Sequence, residues 1–140
     1  MFLFRELKLF IRKECESDKI KVVIAQPDKK AVVTEIENTL KSLQKIVGGY
    51  IECIYPFDDN VGIICNEEGK LIGLEPNRVL RDEEGNTVDI IFGTFIVAGL
   101  TEDDFGSLTD DQADYYAEMF KCPELIFRTG NGFLAVKIEG

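Results

Sequence analysis

Tyr50-Ile51-Glu52-Cys53-Ile54-Tyr55, then Pro56-Phe57-Asp58-Asp59-Asn60, then Val61-Gly62-Ile63-Ile64-Cys65, and finally Glu67-Glu68-Gly69 leading into Lys70-Leu71-Ile72-Gly73-Leu74 make up the stretch that decides the fold. Two apolar, β-branched runs flank a polar turn, and a second, acidic turn leads into a third run. Three short-linked segments of this kind predict an antiparallel meander.

Toward the N-terminus, Ile20 to Ala25 and Ala31 to Val33 are β-branched runs on either side of Gln26-Pro27-Asp28-Lys29-Lys30, and predict a hairpin or two successive strands. Thr34 with Glu37 has the spacing of a capping box and predicts a helix over about 35–47, with Ile36, Leu40, Leu43 and Val47 as its buried stripe and Gly48-Gly49 as its left-handed stop. Toward the C-terminus, Thr87 to Phe92 and Thr94 to Ala98 read as strands on either side of Gly93, which marks a bulge or a close backbone approach. Thr109 with Gln112 offers a second capping box for a helix over about 109–121, buried through Ala113, Tyr116, Ala117 and Phe120. Leu125 to Arg128, a Thr129-Gly130-Asn131-Gly132 turn and Phe133 to Ile138 predict a closing hairpin. The fold expected is α+β, a mostly antiparallel sheet with two principal helices packed on it. Residues 20–140 read as one domain, and 1–19 as an extension whose apolar positions (Phe2, Leu3, Leu7, Phe10, Ile11) suit docking on the body or on a second subunit.

Composition excludes several functional classes. With 16 basic and 26 acidic residues the formal charge is −10 and the pI about 4.5, so the overall field repels nucleic-acid phosphates and anionic membranes. There is no His and no Trp. Cys15, Cys53, Cys65 and Cys122 lack the paired spacing of a zinc or redox site and read as scattered reduced thiols, with Cys53 and Cys65 flanking a hairpin where they would face each other or pack as small hydrophobes. The start of the chain is too short and too charged for a transmembrane span, and the expected location is the cytoplasm, that of the host cell if the gene is phage-borne. The carboxylate pairs at Asp58-Asp59, Glu67-Glu68, Glu102-Asp103-Asp104 and Asp110-Asp111 lack the register of a calcium loop, so no metal and no cofactor is expected.

One segment stands apart as candidate chemistry. In Glu75-Pro76-Asn77-Arg78 the proline restrains the backbone, the guanidinium suits a phosphate or carboxylate, and the amide adds a donor and an acceptor. The opposing reading ties Arg78 to an acid such as Glu75 or Asp89, or to turn carbonyls. Tyr50, Tyr55, Tyr115 and Tyr116 offer stacking surfaces, or core positions with the hydroxyl at the rim. Asn77, Arg78, Tyr50 and Asp89 are therefore the candidate ligand-binding residues.

Several motifs occur together and in order: Glu37-Asn38-Thr39-Leu40, Leu43 to Glu52 with its Gly48-Gly49-Tyr50 centre, Cys65 to Lys70, Pro76-Asn77-Arg78, Asp89 to Thr94 and Phe105 to Thr109. The run from about residue 20 to about residue 120 resembles the family named domain of unknown function DUF3846. That resemblance implies a bacterial, phage or mobile-element protein with an accessory or counter-defence role, and it carries no catalytic residues. Three functions compete. One is a non-enzymatic protein that sequesters a small nucleotide-like ligand through Asn77 and Arg78, between the subunits of a homo-oligomer; alanine at Arg78 would then abolish binding and spare the fold. The second is an acidic, DNA-mimicking inhibitor of a host defence protein, in which Arg78 matters only through stability. The third is a small hydrolase acting through carboxylates.

Overall fold

The computed structural model describes residues 19–138, and the expected docking role of the N-terminal extension falls outside them. Three strands carry apolar side chains in near-continuous runs: β1 (Lys19–Ala25), β4 (Val61–Asn66) and β7 (Phe95–Leu100). Such runs need cover on both faces, and these strands accordingly lie inside the sheet. A second hairpin strand, β2 (Val32–Glu37), and β3 (Ile51–Ile54) form the edges, giving the order β2-β1-β7-β4-β3. Every pairing is antiparallel, and the two-residue β8 (Phe105–Gly106) folds back onto β7.

Strand alternation sends neighbouring side chains to opposite faces and so creates two cores. Ile20, Val22, Ile51, Ile64, Ile96 and Ala98 pack against Leu43 and Val47 of helix α1 (Leu40–Val47). Val23, Ala25, Val61, Ile63, Phe95 and Val97 face the other way. They meet Ala113 and Tyr116 of α2 (Asp110–Met119), together with Leu80 and Ile91 from a two-stranded ribbon of β5 (Pro76–Arg81) and β6 (Thr87–Phe92). The closing hairpin forms as β9 (Glu124–Thr129) and β10 (Gly132–Lys137).

Helix α2 starts as its sequence requires: the Thr109 side chain accepts from the Gln112 amide, and Gln112 returns a bond to the Thr109 backbone N–H. Helix α1 differs at its start. Thr34 and Glu37 lie in β2, where the β-branched run pairs with β1 (Thr34 opposite Val22), and Thr39 is the cap, accepting from the Ser42 amide at 3.1 Å. Ladder pairing along β1 wins over the first capping box, so the helix occupies only the later part of the stretch expected. It ends at Gly48, with φ 83°, as anticipated.

Three further expectations are corrected. Lys70 to Leu74 does not form the third strand of a meander, because Asn66 Oδ1 accepts from the Glu68 amide at 2.8 Å and the chain coils through successive turns with Leu71 and Ile72 exposed. The proline-restrained segment Pro76-Asn77-Arg78 is instead the start of a strand, Pro76–Arg81, that pairs with β6. Cys53 and Cys65 do not face each other either. Cys53 lies opposite Ile64, so Cys65, one residue on, points to the other core. Gly93 does mark a close approach: it has φ 85°, and a Cβ there would sit 2.7 Å from Leu74 Cδ1.

At Gly99 a Cβ would lie 2.5 Å from the Ser107 carbonyl oxygen, where no flexible side chain exists to yield. Gly99→Ala is expected to lower unfolding free energy by about 2–3 kcal/mol in urea denaturation, from overpacking against backbone. Gly48→Ala, strained in φ but sterically open, should cost about 1–2 kcal/mol.

Candidate functional site

Asn77 and Arg78 are the pair that the sequence singles out. Pro76 lies opposite Phe92 and Arg78 opposite Ile91, so Asn77 is the extra residue of a bulge in β5. Alternation alone would send the two side chains to opposite faces, yet with the bulge both are buried, Asn77 at 1% and Arg78 at 0% exposure. Asn77 Nδ2 donates to the carbonyls of Ala25 and Gly93, each at 2.9 Å. Arg78 Nε and Nη2 donate to Phe120 O at 3.1 and 2.8 Å, and Nη2 also to Lys29 O at 2.7 Å. Its Nη1 donates to Asn77 Oδ1 at 2.6 Å and, at 3.5 Å, to Gln26 O.

The guanidinium thus spends its whole fork on oxygens, mostly backbone carbonyls. It joins the β1–β2 turn to the C-terminal end of α2, where the helix dipole favours a cation. Burial lowers its pKa, opposed by the negative charge of Glu124, and the group stays protonated. For either residue to recognise a ligand, this clamp would have to open. The remaining candidates lie elsewhere. Tyr50 is 70% exposed in the turn before β3, and Asp89 on β6 pairs with Lys70 Nζ at 2.9 Å beside a small cleft of about 330 Å³. Asn77 and Arg78 adjoin each other, but the four do not converge on one cleft.

The larger concavity, about 890 Å³, lies on the α2 side of the sheet, within the size range of ligand pockets. Three elements wall it: the β3–β4 turn with Phe57, Asp58 and Asp59; α2 with Asp111, Gln112, Tyr115, Tyr116 and Met119; and the end of β5 with Arg81, Asp82 and Glu83, backed by Glu124 and Lys137 of the C-terminal hairpin. Asp59 fixes the turn to the helix. Its carboxylate accepts from Tyr116 Oη at 2.9 Å, from Gln112 Nε2 at 3.0 Å and from the Asn60 amide at 2.7 Å. Desolvation pushes the Asp59 pKa up, but these bonds, Tyr116 foremost, outweigh it and hold the carboxyl below its ordinary range. Burial, and then the bond to Asp59, raise the Tyr116 phenol, which stays neutral.

The aromatic floor is continuous: Phe57 and Tyr115 each sit 4.9 Å from the Tyr116 ring, Tyr115 edge-on at 87°. Arg81 is held in a forked pair with Glu124, at 2.8 and 3.4 Å, and Glu124 is 3% exposed. With Arg81 so engaged, Asp58, Asp59, Asp82, Glu83 and Asp111 dominate the field. Such a wall repels phosphates and favours a cation placed over the rings. In the smaller cleft beside Asp89, Cys65 does not suit a nucleophile: burial, with the nearby Glu52 charge, pushes its thiol up to about 12. Among the described residues no group of three or more Cys, Asp or Glu side chains is placed to hold a metal, and no helix is long and apolar enough to cross a membrane.

Sequence reading noted Tyr115 and Tyr116 as stacking candidates but took Asp58-Asp59 as a solvated turn and passed over Phe57, Arg81 and Glu124. The available signal was Phe57, a large aromatic inside a polar turn.

The chain is therefore a two-core α+β domain with an antiparallel sheet and an acidic, aromatic-floored cleft. The family model for the domain of unknown function DUF3846 matches residues 20–121, most of the chain, and the protein belongs to that family. No curated protein and no solved structure matches it.

Removing the Arg78 side chain leaves the Phe120 and Lys29 carbonyls without these donors and opens a void. Arg78→Ala is expected to cost at least about 3 kcal/mol by chemical denaturation, whereas Tyr50→Ala should stay within about 0.5 kcal/mol. Because the folded-state pKa of Asp59 is depressed, its contribution to stability is present at neutral pH and disappears as pH falls from its unfolded value through the lower folded one. Urea unfolding of Asp59→Asn should accordingly differ most from the wild type near neutrality and converge with it in acid.

Proposed function

We propose that the protein is an accessory binding protein whose α2 cleft takes a lysine- or arginine-rich segment of another protein. The observation that carries this reading is the joining, in one concavity, of an exposed Tyr115 ring with the carboxylates of Asp58, Asp59, Asp82, Glu83 and Asp111. A cationic side chain over Tyr115 gains cation–π attraction and the field of carboxylates that three different elements bring to the same cleft. The reading is the acidic-inhibitor alternative made local: a cleft rather than a whole DNA-like face. A nucleotide-like ligand has less support, since its phosphates would meet these carboxylates and the Arg78 fork is already committed. In the phage or mobile-element setting implied by the family resemblance, the basic partner would be a host protein, with counter-defence as the purpose.

The test is a fluorescence-anisotropy titration of a labelled arginine-rich nonapeptide, with a cyclic dinucleotide as competitor. Peptide affinity should fall at least about tenfold between 50 and 500 mM salt, and about five- to thirtyfold in Tyr115→Ala, with no competition from the dinucleotide. Competition by the dinucleotide, or unchanged peptide affinity in Tyr115→Ala and Asp111→Asn, would sink the proposal.

A further inference from the structure

Charge is unevenly placed along the sequence. Residues 1–13 carry Arg5, Lys8, Arg12 and Lys13 against the single carboxylate of Glu6, whereas the remaining residues hold 12 basic and 25 acidic side chains. A basic stretch joined to a strongly acidic body is drawn to acidic surface. Its cations are interleaved with Leu7, Phe10 and Ile11, and the acidic linker Glu14-Cys15-Glu16-Ser17-Asp18 leads from it into β1 at Lys19.

The start of β1 is fastened to the entry of α2. The Lys21 amide donates to Ser107 Oγ at 2.9 Å, the Leu108 amide donates to the Lys21 carbonyl at 2.9 Å, and the Lys21 ammonium pairs with Asp110, the first residue of the helix. Asp111, next along, lines the α2 cleft, as does Tyr115 one turn further, 61% exposed. The linker therefore leaves the body beside one end of the cleft, and its five residues span up to about 17 Å.

We infer that residues 5–13 of the same chain occupy the α2 cleft and compete with its partner. The inference rests on the reading of that cleft as a site for basic segments. In that position the four cations offset Asp58, Asp59, Asp82, Glu83 and Asp111, and the apolar side chains between them have Tyr115 and Met119 to cover. A short tether sets an effective concentration of about 1 mM, so a segment whose own Kd is about 0.1 mM weakens partner binding about tenfold. Such a hold is reversible, and a partner with more cations displaces it.

The test titrates the labelled arginine-rich nonapeptide into two full-chain variants of equal net charge. One combines Arg5→Gln, Lys8→Gln, Arg12→Gln and Lys13→Gln; the other combines Lys29→Gln, Lys30→Gln, Lys41→Gln and Lys45→Gln, at exposed positions that do not line the cleft. The first is expected to bind the peptide about tenfold more tightly than the second. Equal affinities overturn the inference and leave the cleft reading standing, whereas no peptide binding by either variant removes both. In the unaltered chain, zero-length carbodiimide coupling followed by peptide mass spectrometry of the monomeric product should join Lys8 or Lys13 to Asp58 or Asp111. Absence of any such link overturns the inference whatever the variants show.

Discussion

The buried guanidinium of Arg78 is the constraint on which the other parts converge. It sits where the β1–β2 turn, the C-terminal end of α2 and the β5–β6 ribbon meet, and takes the Gln26 and Lys29 carbonyls from the turn and the Phe120 carbonyl from the helix end. A neutral side chain could satisfy one or two of these oxygens; a planar fork satisfies several at fixed angles. Asn77 completes the arrangement by tying the end of β1 to the β6–β7 junction and turning its own oxygen toward Arg78. A buried charge is costly to desolvate. Here the return is positional, since the clamp sets where α2 and β5 lie over the sheet.

The cleft follows from that placement. Phe120, whose carbonyl Arg78 holds, is a core residue at the end of α2, and its ring meets Phe95 of the central strand at 5.1 Å. With the helix anchored there, its Asp111–Tyr115 face stands across from Arg81 and Asp82 at the end of β5. Asp59 then closes the third side by bonding to Tyr116 and Gln112. Internal anchoring and surface charge are thus divided between neighbours: Arg78 faces inward and is spent, whereas carboxylates one turn or one strand end away line the cleft.

Much of the architecture was legible. The apolar runs at Ile20–Ala25, Val61–Cys65 and Thr94–Ala98, the Thr109–Gln112 box, Gly48 and the closing hairpin all specify local structure by short-range rules. Legibility failed where two local rules competed. Thr34 could cap a helix or extend a strand, and only the presence of β1 beside it decided. Lys70–Leu74 had the composition of a strand but not the cover: Asn66 arrests the ladder, and Leu71 and Ile72 face solvent. Asn77-Arg78 was recognisable as unusual, and carbonyls do hold Arg78, but those of the β1–β2 turn and the α2 end rather than of its own segment. Which carbonyls could not be read, because Gln26, Lys29 and Phe120 lie roughly fifty residues before and forty after it.

By itself, then, the sequence determined the class of fold, the net charge, and which segments must be buried on one face or both, because these depend on the periodicity and composition of contiguous residues. Tertiary structure alone decided the strand order, with β7 inserted between β1 and β4, and the inward turn of Asn77 and Arg78 through a bulge. It also decided the gathering of Asp59, Asp82, Asp111 and Tyr115 around one cleft. These features depend on contacts between residues far apart in the chain, where no local spacing rule reaches and only the mutual satisfaction of carbonyls, charges and apolar surface selects the arrangement.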